Sequence, residues 1–158
     1  VPLVLAYSVL KFEWFTPGAT AKGEFVKQDI ELAGLIEQDE AKNRPTWRII
    51  YQPKVDCDAL CSEQLYGLNQ TQNALGKLQK RVDANVLTKN EIDLSAYPHV
   101  NISKLTNKQL NSDYLYIVDP FGKVIMQYKG SIEREQTIKT SKFILADLKK
   151  LLNYARVG

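Results

Sequence analysis

An α/β fold, a mixed central sheet with helices packed against it, is predicted by three observations. "TWRIIYQ", residues 46–52, is a β-branched and aromatic run bounded by Pro45 and Pro53, the pattern of a buried strand. A helical repeat follows it, with Cys61, Leu65, Leu68, Leu75 and Leu78 recurring at spacings of three, four and seven. Further on, "DYLYIVDPFGKVIMQYKG", residues 113–130, sets two strand-like runs on either side of a turn. A chain of 158 residues is about one domain's worth and can bury a sizeable core.

Residues 1–10, "VPLVLAYSVL", carry no charge, and Lys11, Trp14 and Phe15 follow. Ten residues are too few to cross a bilayer, which takes about 20. With Tyr7, Trp14 and Phe15 suited to the interfacial belt, residues 1–15 read as the C-terminal part of a membrane anchor. Pro17 and Gly18 end any helix there, so residues 16–45 read as a linker and N-terminal extension, largely irregular. "DIELAGLIEQDEAKNRP" has room for a short amphipathic piece or hairpin before Pro45. The domain proper is then 46–158. After the strand at 46–52 comes a helix from about Ala59 to Lys80, with Asp58 placed to cap it and Gly67 and Gly76 placed to bend or break it. "RVDANVLT", 81–88, reads as a second strand, 89–102 as a loop holding Pro98 and His99, and "ISKLTNKQL" as a short helix. The strands Tyr114–Val118 and Lys123–Tyr128 flank "DPFG", with Pro second and Gly fourth, as a type I turn prefers. Residues 139–156 place Ile144, Leu148, Leu151, Leu152 and Ala155 on one face of an amphipathic helix.

Strand, helix, strand, short helix, hairpin, helix makes a βαβ unit followed by ββα. That order gives a mixed sheet with helices on both faces, the thioredoxin-like arrangement.

Composition narrows the function classes. The 21 basic and 18 acidic residues leave a net charge of +3, and no basic patch interleaved with aromatics appears, so nucleic acid is not an expected partner. A single histidine excludes a multi-histidine zinc site. No phosphate loop, Ser-His-Asp set or paired-carboxylate arrangement is present.

The chemistry therefore rests on "VDCDALCSEQL". Cys57 and Cys61, four apart, are the only two cysteines. They fall after the first core strand and at the start of the first core helix, where the helix dipole and free N–H groups stabilise a thiolate. Three readings stand: a structural disulfide, a thiol–disulfide exchange couple, or a pair of soft ligands for Cu(I). Closing so short a loop gains little chain entropy, which weighs against a purely structural bridge. Within the couple, Cys57 would be the exposed attacking or ligating sulfur and Cys61 its resolving partner. Asp56 and Asp58 flank Cys57, and their charge opposes the dipole. Pro98 reads as an ordinary loop proline.

These residues resemble a known family. Trp47, Ile49-Ile50-Tyr51, five residues, then Cys57, Cys61, Leu65 and Leu68 look like the core of the Sco (SenC) proteins, and "YLYIVDPFGKVI" is similar to their strand-DP-x-G-strand hairpin. The "KFEWFTPG" start and the short length look like the small Sco-like proteins of bacterial cytochrome oxidase assembly loci. The resemblance covers residues 46–128 and the anchor start. It implies a thioredoxin-like fold and a copper site made by the C-x-x-x-C pair and a distant histidine. It also implies a single-pass inner-membrane protein with its soluble domain in the periplasm, and cytochrome c oxidase or its assembly factors as partner. Two departures stand out. Asp58 replaces the family's usual proline, and "NKQLNSDYLY" lacks the histidine expected just before the hairpin. The sole candidate third ligand is His99, giving the set Cys57, Cys61 and His99. The alternatives are a metal-free thiol–disulfide oxidoreductase and a non-catalytic accessory subunit.

Overall fold

A computed structural model describes residues 23–26, 29–32, 46–54 and 56–155, with the side chains of 154 and 155 excepted. The expected anchor at 1–15 and most of the 16–45 extension lie outside the described residues. Among the described residues no helix is long and apolar enough to cross a membrane.

The elements are β1 (Glu24–Phe25), β2 (Trp47–Tyr51), α1 (Ala59–Ala74), a 3₁₀ segment (Gly76–Arg81), β3 (Val82–Leu87), β4 (Val100–Ser103), β5 (Tyr114–Val118), β6 (Val124–Lys129) and α2 (Arg134–Ala155). They form one six-stranded sheet in the order β1-β6-β5-β2-β3-β4. The β2–β3 and β3–β4 pairs are parallel and the rest antiparallel, so the sheet is mixed, as expected. β2 sits at its centre with all five residues buried, Arg48 among them, which explains its aromatic and β-branched composition.

Among the described residues, α1 and α2 pack on one face of the sheet. Ile49, Tyr51, Ala84, Val86, Ile117 and Met126 meet Leu65, Leu68, Ile144 and Leu148 there. Ile50, Tyr116, Val118 and Val124 on the other face meet Ile30, Leu32 and Leu110 instead. Among the described residues this second face is met by extended segments, and 102–110 does not form the expected short helix. Ile102 and Ser103 are drawn into β4, and Asn107 Oδ1 accepts from the Gln109 N–H at 2.8 Å, a local turn that competes with a helix.

Three other boundaries moved. β4 lies where a loop was expected; it is a short edge strand whose two middle residues are exposed, so its signal is weak. α2 starts at Arg134 rather than 139, because its first turn is polar and carries no apolar repeat. α1 ends at Ala74, and Gly76, at φ +57°, turns the chain out of it. Gly67 does not break α1. It lets α2 approach, with Ser141 Oγ donating to its carbonyl at 3.3 Å. The extension is not irregular throughout: β1 pairs with β6, and Val124 N donates to the Ile30 carbonyl at 2.9 Å.

Candidate functional site

β2 ends at Tyr51 and α1 begins at Ala59, which delivers the two cysteines to the carboxyl end of the central strand. Asp58 is the N-cap, in extended conformation, and its carboxylate accepts the Cys61 backbone N–H at 2.9 Å. Cys61 therefore lies in the first turn and points into the core, 1% exposed, beside Leu65 and Leu68. Cys57 precedes the cap and is exposed. The two are joined in a disulfide, with Cα atoms 5.1 Å apart. Cys57 is thus open to solvent and Cys61 is not.

Below the helix start lies Tyr51, fully buried. Burial, then the charges of Asp58 and Asp113, push its phenol well above the ordinary tyrosine range. On one side of α1 the packing is closed. Gln64, 3% exposed, donates to the Asp113 carbonyl at 3.3 Å, and the Gly130 N–H donates to the same carbonyl at 2.8 Å. A Cβ on Gly130 would overlap the Gln64 amide, so a larger residue there would push that side chain aside. Arg134 completes this side, pairing with Glu63 at 3.0 Å and lying 3.6 Å over the Tyr66 ring. The hydrogen bond from Arg134 holds the Glu63 carboxyl below its ordinary range. Gln52 and Asn107 are tied by a reciprocal pair of bonds at 2.8 and 2.7 Å, which fixes the 104–110 segment against the end of β2.

On the other side the packing is open. A recess of about 400 Å³ lies beside Cys57, walled by Asp56 and Ser62 from the helix start and by residues of the β3–β4 loop.

His99 is not brought to the sulfurs. Its backbone N–H donates to Asn69 Oδ1 at 2.8 Å. Asn69 is eight residues past Cys61, about 12 Å along the helix axis at 1.5 Å per residue. Among the described residues no group of three His, Cys, Asp or Glu side chains could hold a metal ion. The expected set Cys57, Cys61 and His99 is thus split, with the cysteines together and the histidine anchored to the middle of α1. Pro98 is an exposed loop proline with a trans peptide bond. The residues that sequence reading missed are Gln64, Asp113, Arg134 and the recess walls. Nothing in their spacing marks them, since a fold must first bring the loops together.

A mixed sheet carrying a cysteine pair at the amino end of the helix after its central strand defines a thioredoxin-like protein. The chain belongs to the family of transmembrane-like, thioredoxin-like C-terminal domains, whose pattern matches residues 47–155. No curated protein matches it in sequence. Among solved structures it is similar to copper-bound ScoI of Bradyrhizobium japonicum (15% identity, TM-score 0.43, 66% of this chain and 88% of that one). It is similar also to copper-bound ScoI of Arabidopsis thaliana (13%, 0.44, 70% and 89%). A third is the thioredoxin domain of a thiol-disulfide oxidoreductase from Bacteroides vulgatus (15%, 0.41, 79% and 96%). Identities this low say nothing of activity.

Proposed function

We propose that this protein is a Sco-like thiol–disulfide oxidoreductase serving cytochrome c oxidase assembly. One observation carries the chemistry: exposed Cys57 is bridged to Cys61, 1% exposed, at the amino end of α1. In the oxidised state a substrate thiolate attacks Cys57 Sγ, the Cys57–Cys61 bond breaks, and Cys61 leaves as thiolate. A second substrate thiolate then attacks the substrate sulfur of the mixed disulfide, and Cys57 leaves. The substrate dithiol loses two electrons and its protons, and the protein gains a dithiol. In reverse, the Cys57 thiolate attacks a substrate disulfide and Cys61 resolves the intermediate. The potentials of the two couples set the direction.

The setting rests on the resemblance of residues 46–128 to Sco, with oxidase or assembly-factor cysteines as targets. Residues 1–15 supply the anchor in this reading, with the domain on the periplasmic side of the inner membrane. Copper, which the resemblance implies, finds no three-ligand set among the described residues, where the His99 backbone is tied to Asn69 in the middle of α1. No step is assigned to it.

The test is equilibration of the pair in graded thiol–disulfide buffers, with Cys57→Ser and Cys61→Ser alongside. Expected are a reversible two-electron transition, loss of exchange to background in Cys57→Ser, and a trapped mixed disulfide in Cys61→Ser. A bridge that never reduces, with partner function untouched by Cys57→Ser, overturns the reading in favour of an accessory subunit. Cu(I) titration of the reduced chain adds a check. Tight one-to-one binding lost in His99→Ala would restore the copper site.

A further inference from the structure

The recess beside Cys57 has a composition unlike the chain as a whole. The chain carries net charge +3, yet among the described residues the charged ones lining the recess are all acidic: Asp56 on the helix side, Glu91 and Asp93 on the loop side. Its floor is apolar, formed by Leu65 with Ile92 and Tyr97, both half-buried. The loop wall is ordered by its own bonds. Asp93 Oδ1 accepts the Ser95 N–H at 3.0 Å, and the Tyr97 N–H donates to the Leu94 carbonyl at 2.9 Å. Exposed Cys57 is itself one of the lining residues.

From this geometry we infer that the recess is the substrate-docking groove of the exchange reaction, and that its occupant is a cysteine-containing polypeptide segment with Lys or Arg beside the reacting cysteine and an apolar side chain for the floor. The inference rests on the exchange reading above and adds its substrate class. Three carboxylates around a concave surface concentrate cationic partners and repel anionic ones. A peptide seated there presents its sulfur to Cys57, the residue of the bridge open to solvent. Cys61, enclosed by Leu65 and Leu68, is left for the resolving step.

The test uses the reduced 158-residue chain and hexapeptides with one cysteine, each capped as a mixed disulfide with a thionitrobenzoate chromophore. Cys57 thiolate attacks the peptide sulfur, the chromophore leaves as thiolate, and Cys61 thiolate then releases the peptide thiol. The cysteine is flanked by two Lys, two Ser or two Glu, with one Leu in each peptide. Rates are divided by those with dithiothreitol as attacker, which removes the peptides' intrinsic differences. The lysine peptide is expected to react about tenfold faster than the serine peptide at low salt and the glutamate peptide more slowly, with the spread collapsing at high salt. The double variant Glu91→Gln, Asp93→Asn, both distant in sequence from Cys57, should lose the spread while reacting normally with the chromophore disulfide of mercaptoethanol. Equal rates for the three peptides, or a spread unchanged in the variant, overturn the groove and leave the exchange reading intact. No reaction with any disulfide, mercaptoethanol's included, overturns the exchange reading and the groove with it.

Discussion

The start of α1 is held between two unlike flanks. Towards β5, β6 and α2, Gln64, Asp113, Gly130, Glu63, Arg134 and Tyr66 interlock through side-chain and backbone bonds. Towards the β3–β4 loop there is a hollow with an acidic rim. The difference teaches a division of labour. A closed flank fixes where the sulfurs sit, and an open one leaves Cys57 approachable. The proposed exchange needs both, because it requires near-linear approach of one sulfur to a bond that does not wander.

The largest effect is expected beneath the helices. Tyr51 lies under the helix start and Tyr128 under α2, where its hydroxyl donates to Asp147. Burial first, then nearby carboxylates, raises both phenols above their ordinary value. Because the folded pKa is raised, the fold favours the neutral phenol. Their contribution is complete below about pH 10 and is lost as pH climbs towards the folded value. Stability should therefore be flat from pH 7 to 9.5 and then fall, each phenol removing up to about 1.4 kcal/mol per pH unit. Denaturant midpoints against pH check this, and Tyr128→Phe should soften the alkaline fall.

Gln64→Ala strikes the closed flank alone. It empties a buried site and removes one donor to the Asp113 carbonyl, at a cost of about 1–3 kcal/mol. The peptide charge preference should survive, since no recess wall is touched. Calorimetry and the peptide rates together separate the two flanks.

Asp58→Ala acts at their junction. Loss of the cap should cost about 1 kcal/mol, and Asp58→Asn much less. Both substitutions remove a carboxylate near Cys57, so alkylation of the reduced pair should set in at lower pH.

The smallest effect is expected from Arg134→Gln. Its guanidinium is exposed where it pairs with half-buried Glu63, and pairs open to solvent contribute little. A slight drop in thermal midpoint that shrinks in 1 M salt would fit. A drop rivalling that of Gln64→Ala would show that the closed flank depends on charge rather than packing.

Much of this fold was legible beforehand where the signal is local. "TWRIIYQ", "DYLYIVDPFGKVIMQYKG" and the Ile144-Leu148-Leu152 stripe each carry their own periodicity, and each became the expected element. Asp58 announced its cap for the same reason. β1 and β4 were not legible, being two and four residues long and formed only because a neighbouring edge offers hydrogen bonds. The short helix expected at 102–110 failed because strand pairing at Ile102 and the Asn107 turn outcompeted a weak propensity.

At the site the division is similar. The order of residues along the chain determined that Cys57 and Cys61 flank a helix start and that the first is open to solvent while the second is buried, because helix geometry is local. Only the tertiary structure decided that His99 is tied to Asn69 rather than to the sulfurs, and that Glu91 and Asp93 share a recess with Cys57. Both depend on how a long β3–β4 connection lies against α1. That placement is set by packing across the sheet, and no spacing within the chain encodes it.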